Sequence, residues 1–158
     1  MVAVIAHALA LIRREIFNGE IDPGEVAVAA LYHDAPEILT GDLPTPVKYF
    51  NPGIRDAYKQ VEAVSADKLL SMLPDELRPA YIPYLKENPG EIYDLVKAAD
   101  KISAYIKCVE ELKMGNNEFR EAAGQTLSLL QESKLPEVAY FMEYFLPAFE
   151  MTLDELSK

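Results

Sequence analysis

Apolar residues recur along most of this chain at the three- and four-residue spacing of amphipathic helices. Together with the prolines, glycines and capping residues at its edges, this spacing predicts helices over 1–17, 22–39, 54–72, 74–85, 88–114, 117–133 and from 136 onward. We find no alternation of apolar and polar residues typical of strands, and no internal repeat. The sequence therefore predicts an all-α fold, a bundle of roughly six to eight helices in a single domain over 1–158.

Local signals mark several boundaries of these helices. Asp22 is a capping residue, and Pro23 after it suits the first helical position. Thr152 and Glu155 have the spacing of a capping box, which predicts one more helix at the end of the chain. The segment 40–46 contains a glycine and two prolines, so we expect a loop there, with a short helical turn over 47–50.

The start of the chain lacks such a signal. Apolar residues begin at Met1 without a capping residue, and no basic region or cleavage site of a signal peptide precedes Arg13. Two interpretations remain open. Met1 lies inside a helix whose beginning is absent, or it begins a buried N-terminal helix that its own amine completes.

Charge and cysteine content narrow the function classes. The chain carries 15 basic and 26 acidic side chains among 158 residues, a net charge of −11, which argues against binding to DNA or RNA. The single cysteine, Cys108, cannot form an internal disulfide, so we expect a cytoplasmic protein. No apolar run approaches the roughly 20 residues of a membrane span, so we expect no membrane association.

Polar residues interrupt the apolar helix pattern at His33 and Asp34. An imidazole and a carboxylate side by side suit a transition metal such as Mn, Fe, Co, Zn or Ni. Glu37 lies one helical turn further, where it would reach the rim of such a site as a general acid or base. The alternative is a core histidine bonded to an acid near a helix end, and on these residues alone that alternative is favoured.

Two further candidates stand elsewhere in the sequence. Asp100 falls within a strongly apolar stretch of the helix predicted over 88–114, where a buried carboxylate needs a cation or a metal. An ion pair with Lys97 or Lys101, or a side chain that faces solvent, would also explain Asp100, and on this residue alone these alternatives are favoured. The loop after Glu37 carries Asp42 and Lys48, which would lie near the same mouth; the alternative there is a plain connecting loop.

Taken together, these segments resemble a known family. The string YHDAPEILTGDLPTPVKYF at 32–50, KAADK at 97–101 and EELKMGNNEF at 110–119 are similar to the bacterial 5'-deoxynucleotidases of the HD-domain metal-dependent phosphohydrolase superfamily. The similarity extends over essentially the whole chain. It implies an HD-domain helical bundle, a homodimer and one divalent metal ion, with cobalt or manganese typical.

The resemblance also implies an activity and roles for individual residues. The reaction would be hydrolysis of deoxyribonucleoside 5'-monophosphates to deoxynucleoside and phosphate, by attack of a metal-activated water. His33, Asp34 and Asp100 match the metal ligands, and Glu37 matches the catalytic glutamate. Asp42 matches a loop aspartate near the attacking water and the substrate phosphate. Lys48 follows in the same loop as a further candidate for substrate binding.

The family also uses residues that this chain does not show. A further metal-binding histidine, an arginine and a tryptophan would lie upstream of Met1, and the chain contains no tryptophan. His7 stands too far along the first helix to replace that histidine, so we assign it to packing. We therefore expect the usual N-terminal segment to be absent. The alternative function is a catalytically impaired HD-fold module that binds nucleotides or forms dimeric interactions.

Overall fold

The computed structural model describes residues 1–42, 51–86 and 88–157, and their regular structure is entirely helical. It comprises a 3₁₀ turn, Asn117–Phe119, and ten α-helices: α1 Val2–Glu15, α2 Pro23–Leu31, α3 Glu37–Thr40, α4 Pro52–Ser71, α5 Arg78–Leu85, α6 Glu91–Lys113, α7 Arg120–Gln131, α8 Pro136–Tyr144, α9 Leu146–Glu150 and α10 Leu153–Leu156. The all-α prediction is confirmed. Seven of these helices have eight or more residues, within the expected range.

The chain divides into two compact units. The first combines Met1–Ala30 with Gly90–Lys158, and the second is Leu31–Pro89. The single domain over 1–158 stays a prediction. Among the described residues, no helix is long and apolar enough to cross a membrane.

The core of the first unit forms where α1, α8 and the long helix α6 pack together. Ile5, Leu9 and Ile12 recur along one face of α1 and are almost fully buried. Leu95 and Ile102 do the same on α6. Burying each such side chain stabilises the fold by about 1.5–3 kcal/mol, so these faces fix how the helices of this unit pack.

His7 lies on the exposed face of α1, so its assignment to packing was wrong.

A buried ion pair joins the end of α1 to the start of α8. The Nε of Arg13 donates to Oε1 of Glu137 at 2.5 Å, and the two side chains are only 12% and 2% exposed. Glu91 at the start of α6 lies 3.7 Å from the same guanidinium. Gly19 leaves room for this arrangement, because a Cβ there would lie 2.6 Å from Cγ of Arg13.

The second unit contains α3, α4 and α5. Asn51 caps α4, where its side chain accepts from the amide of Ile54 at 2.9 Å. At the other end, the Nε of Arg78 donates to the carbonyl oxygens of Leu70 and Leu73, at 3.0 and 3.1 Å. Arg78 thus binds carbonyls at the C-terminal end of α4, and it ties α5 to α4.

The single helix predicted over 22–39 was wrong. Helix α2 ends at Leu31, a turn follows over 32–36, and α3 begins at Glu37. Pro36 explains the break, since it has no N–H to donate and its ring would clash with the carbonyl of Tyr32 in a continuous helix. The amide of Ala35 instead bonds to the Tyr32 carbonyl at 2.9 Å, which closes a tight turn.

Of the other boundary predictions, the capping box is confirmed and two helix starts are shifted along the chain. The capping box is confirmed: Thr152 accepts from the amide of Glu155, and the Glu155 carboxylate accepts from the amide of Thr152. The hydrogen bonds that the Glu155 carboxylate accepts from the amide and the hydroxyl of Thr152 hold the pKa of Glu155 below its usual value. Helix α6 starts at Glu91 rather than 88, and α5 starts at Arg78 rather than 74. The helical turn expected over 47–50 lies outside the described residues.

The buried ion pair gives a test of the first unit. Glu137→Gln leaves the Arg13 guanidinium without its carboxylate in a site that excludes water, so we expect unfolding free energy to fall by about 3 kcal/mol. Replacing both residues by methionine should recover most of that loss. Urea unfolding measures both, with the exposed Glu132→Gln as control. A Glu137→Gln protein as stable as that control would contradict the assignment.

Cys108 gives a second test. Its thiol is 6% exposed, and its pKa is raised by burial first and by the nearby Glu111 carboxylate second. A buried thiol with little thiolate reacts slowly, so we expect no labelling by a thiol reagent at neutral pH in the folded protein. Labelling should become complete in guanidinium. Rapid reaction under native conditions would show that α6 opens readily at this position.

Candidate functional site

The candidate site begins at the turn that follows α2. His33 and Asp34 occupy this turn, between the end of α2 at Leu31 and Pro36. The Nε2 of His33 lies 2.9 Å from Oδ2 of Asp34. The imidazole is 13% exposed and the carboxylate 53%. A nitrogen atom and an oxygen atom that could both bind a metal ion thus lie next to each other. The imidazole that carries the nitrogen is mostly buried, and the carboxylate that carries the oxygen is half exposed.

Glu37 follows in the next turn of the chain. Its amide bonds to the carbonyl of Asp34 at 2.9 Å, and its side chain is half-buried at the start of α3. The three acidic and imidazole groups therefore belong to one short, hydrogen-bonded segment. The sequence predicted this proximity, but for a continuous helix. The turn imposed by Pro36 achieves it instead.

Asp42 stands just beyond the end of α3 and is exposed. The chain reaches it through Gly41, which has a φ of 70°, a value that favours glycine. The carbonyl of Gly41 accepts from the Tyr58 hydroxyl at 2.7 Å and from Thr40 Oγ1 at 2.9 Å. Lys48, the other predicted residue of this loop, lies outside the described residues.

Two further tyrosines cluster around Tyr32, the residue that precedes His33 in the sequence. The ring of Tyr32 stacks on that of Tyr84, with 5.7 Å between the ring centroids. It packs edge-to-face with Tyr81, with 5.9 Å between the centroids, and Tyr81 and Tyr84 both belong to α5. The pKa of Tyr32 is raised, first by charge interaction with Tyr81 and then by a hydrogen bond with it. Sequence reasoning missed these contacts. The only signal was the spacing of Tyr81 and Tyr84, which puts them on one face of α5.

Asp100 belongs to the other unit, where it lies on α6. It is half-buried, and its neighbours Ala99 and Ile102 are fully buried. This agrees with the apolar surroundings expected from the sequence. Within either unit, the described residues include no group of three His, Cys, Asp or Glu side chains arranged to hold a metal. Asp100 as third ligand stays a prediction.

A surface cleft of about 430 Å³ also lies on α6. Charged, polar and apolar residues line it together: Asp94, Lys97, Ala98, Lys101, Leu129, Leu130, Glu132, Ser133 and Leu135. Asp100 does not line it. The cleft is therefore separate from the candidate ligand on the same helix.

Comparison with known proteins bears directly on this arrangement. The model of the 5'-deoxynucleotidase YfbR-like family matches residues 1–149. This chain belongs to that family. The match covers every candidate site residue in the sequence, including Lys48.

Curated relatives of the YfbR-like family agree over almost the whole chain. A 5'-deoxynucleotidase of Vibrio parahaemolyticus is 51% identical over 158 residues, which cover 99% of this chain and 81% of the relative. Those of Vibrio cholerae and Erwinia tasmaniensis are 49% and 48% identical, with similar coverage. The chain is thus similar to 5'-deoxynucleotidases along nearly its full length.

A solved structure supports the family's fold independently. An HD-domain phosphohydrolase from Listeria innocua superposes with a TM-score of 0.80 at 26% identity, covering 94% of this chain and 72% of the other. The expected HD-domain architecture is therefore confirmed.

The tyrosine cluster yields a test of the segment that carries His33. Tyr84→Ala removes the ring stacked on Tyr32, and we expect unfolding free energy to fall by about 1–2 kcal/mol. Tyr84→Phe keeps the ring and should retain nearly full stability. Thermal and urea unfolding compare the two variants. Equal stability of the alanine and phenylalanine variants would show that the stacked ring contributes nothing.

Proposed function

We propose that this protein is a metal-dependent 5'-deoxynucleotidase that converts deoxyribonucleoside 5'-monophosphates into deoxynucleosides and phosphate. The observation that carries the proposal is the convergence of His33 Nε2 and Asp34 Oδ2 at 2.9 Å, in a chain of the YfbR-like family. Glu37 in the adjoining turn adds a carboxylate suited to proton transfer. The named relatives are 5'-deoxynucleotidases, which supports this substrate class.

The residues present suit a divalent transition metal. An imidazole nitrogen and a carboxylate oxygen side by side are preferred ligands of Co, Mn and Fe. Asp100 is the third ligand that the family resemblance implies. When bound, such an ion neutralises phosphate charge and lowers the pKa of a coordinated water. We assign His33, Asp34 and Asp100 to holding one ion. The tyrosines around Tyr32 would keep the His33 imidazole in place.

Two carboxylates outside that ligand set would direct the reaction. Glu37 would accept the proton of the attacking water and return it to the departing 5'-oxygen, since a half-buried carboxylate near the ligands can serve both purposes. Asp42 would orient the water in line with the phosphorus–oxygen bond. Lys48 would supply positive charge to the phosphate. Precise placement of such groups contributes much of a hydrolase's rate.

The proposal extends to the setting of the enzyme. The net charge of −11 suits small nucleotide substrates held at a local metal site rather than a nucleic-acid polymer. The lone, buried Cys108 suits the reducing cytoplasm.

We also propose a homodimer, as the family resemblance implies. Light scattering of the purified protein tests that assembly directly.

Phosphate release tests the proposed reaction. We expect release from a panel of deoxyribonucleoside 5'-monophosphates with cobalt or manganese, and none with EDTA. Asp34→Ala removes a ligand and should lower the rate at least about 100-fold, because even supporting residues of metal sites commonly contribute 10–100-fold. The same panel of ribonucleotides measures selectivity for the sugar.

The matched control is Asp67→Ala. Asp67 is another aspartate of the second unit, and it forms an exposed ion pair with Lys86. Such a pair contributes little to stability, so this variant should keep full activity. No release by the folded wild-type protein with excess metal would contradict the proposed function. It would favour the alternative of a nucleotide-binding or interaction module.

A further inference from the structure

We propose that Tyr58 is a positioning residue that sets the direction of Asp42, an inference that rests on the proposed function of Asp42. Tyr58 lies in α4, sixteen residues beyond Asp42 in the sequence. Its role follows from the backbone atom to which it binds. That atom is the carbonyl oxygen of Gly41, immediately before Asp42.

The Gly41 carbonyl receives two hydroxyl groups. Tyr58 donates to it at 2.7 Å and Thr40 Oγ1 at 2.9 Å, and the two hydroxyl oxygens lie 3.4 Å apart. The Gly41 carbonyl is thus bound by its sequence neighbour Thr40, at the end of α3, and by Tyr58, in α4. The tyrosine is the only one of these two donors that ties the end of α3 to α4.

Peptide geometry carries this constraint on to Asp42. The carbonyl of Gly41 and the N–H and Cα of Asp42 lie in one rigid plane. A hydrogen bond that fixes the carbonyl therefore fixes the position of the Asp42 Cα, from which the side chain extends. Gly41 needs such a restraint, because its φ of 70° and ψ of 163° lie in a region where a glycine samples many neighbouring conformations.

Position matters for the proposed chemistry. A displacement of about 1 Å in a group that orients a reactant can lower a rate by about 100-fold. Without the Tyr58 hydroxyl, Thr40 would be the one side chain among the described residues that still donates to the Gly41 carbonyl. Asp42 would then spend less time in the productive direction. The loss should appear in kcat rather than KM, since the substrate's other contacts remain.

A double-mutant cycle separates positioning from general structural support. Tyr58→Phe deletes only the hydroxyl, and we expect kcat to fall about 10- to 100-fold with KM nearly unchanged. In an Asp42→Asn background the same change should lower kcat less than about twofold, because the carboxylate it positions is gone. Equal losses in both backgrounds, or no loss in either, would overturn the proposal.

The matched control is Ser71→Ala on the same helix. Its hydroxyl donates to the Lys68 carbonyl at 2.6 Å near the end of α4, so this variant also deletes one hydroxyl–carbonyl hydrogen bond. We expect kcat of Ser71→Ala to match that of the wild type. A fall as large as that of Tyr58→Phe would mean that any loosening of α4 lowers activity.

A second measurement does not depend on activity, so failure of the proposed function can be told from failure of this inference. A protease that cuts before aspartate cleaves the peptide bond between Gly41 and Asp42. Loss of one hydrogen bond at that bond should raise the cleavage rate about tenfold in Tyr58→Phe, and not in Ser71→Ala. Mass spectrometry identifies the cut. An unchanged rate would show that Tyr58 does not hold Asp42, even if the enzyme hydrolyses nucleotides.

Discussion

The candidate site depends on a covalent constraint, the ring of Pro36. A helix cannot run through this residue without losing a hydrogen bond and forcing the ring against the carbonyl one turn earlier. The chain therefore leaves α2 at Leu31 and turns through His33 and Asp34. Their donor atoms then meet at 2.9 Å, although adjacent residues of a regular helix diverge by about 100°.

The second unit holds this turn mainly by specific contacts between helices rather than by an apolar core. Among its described residues, only Ser65, Ala66, Leu70 and Leu85 are buried. Hydrogen bonds and aromatic contacts hold its helices together. Arg78 ties α5 to α4, and Tyr58 ties α4 to the end of α3. Tyr81 and Tyr84 hold the residue before His33. A site on such a unit keeps its geometry through directional interactions.

Sequence reasoning predicted the fold class, because a helical period repeated over the whole chain leaves few alternatives. It also selected His33, Asp34 and Glu37, since polar residues in an apolar stretch are conspicuous, and their roles stay predictions. The single helix predicted over 22–39 was wrong because Pro36 breaks the helix, even though the apolar spacing continues on both sides of it. It missed Tyr58, since nothing local in the sequence indicates which carbonyl a distant hydroxyl will reach.

Gly19 has a consequence for how this sequence can change. A side chain at position 19 would occupy the space of the Arg13 methylene groups, and a shorter residue at 13 would abandon the buried carboxylate of Glu137. Each single replacement is costly, while a combined replacement need not be. Positions 13 and 19, together with position 137, which lies 124 residues beyond Arg13, are thus expected to covary among relatives as one evolutionary unit.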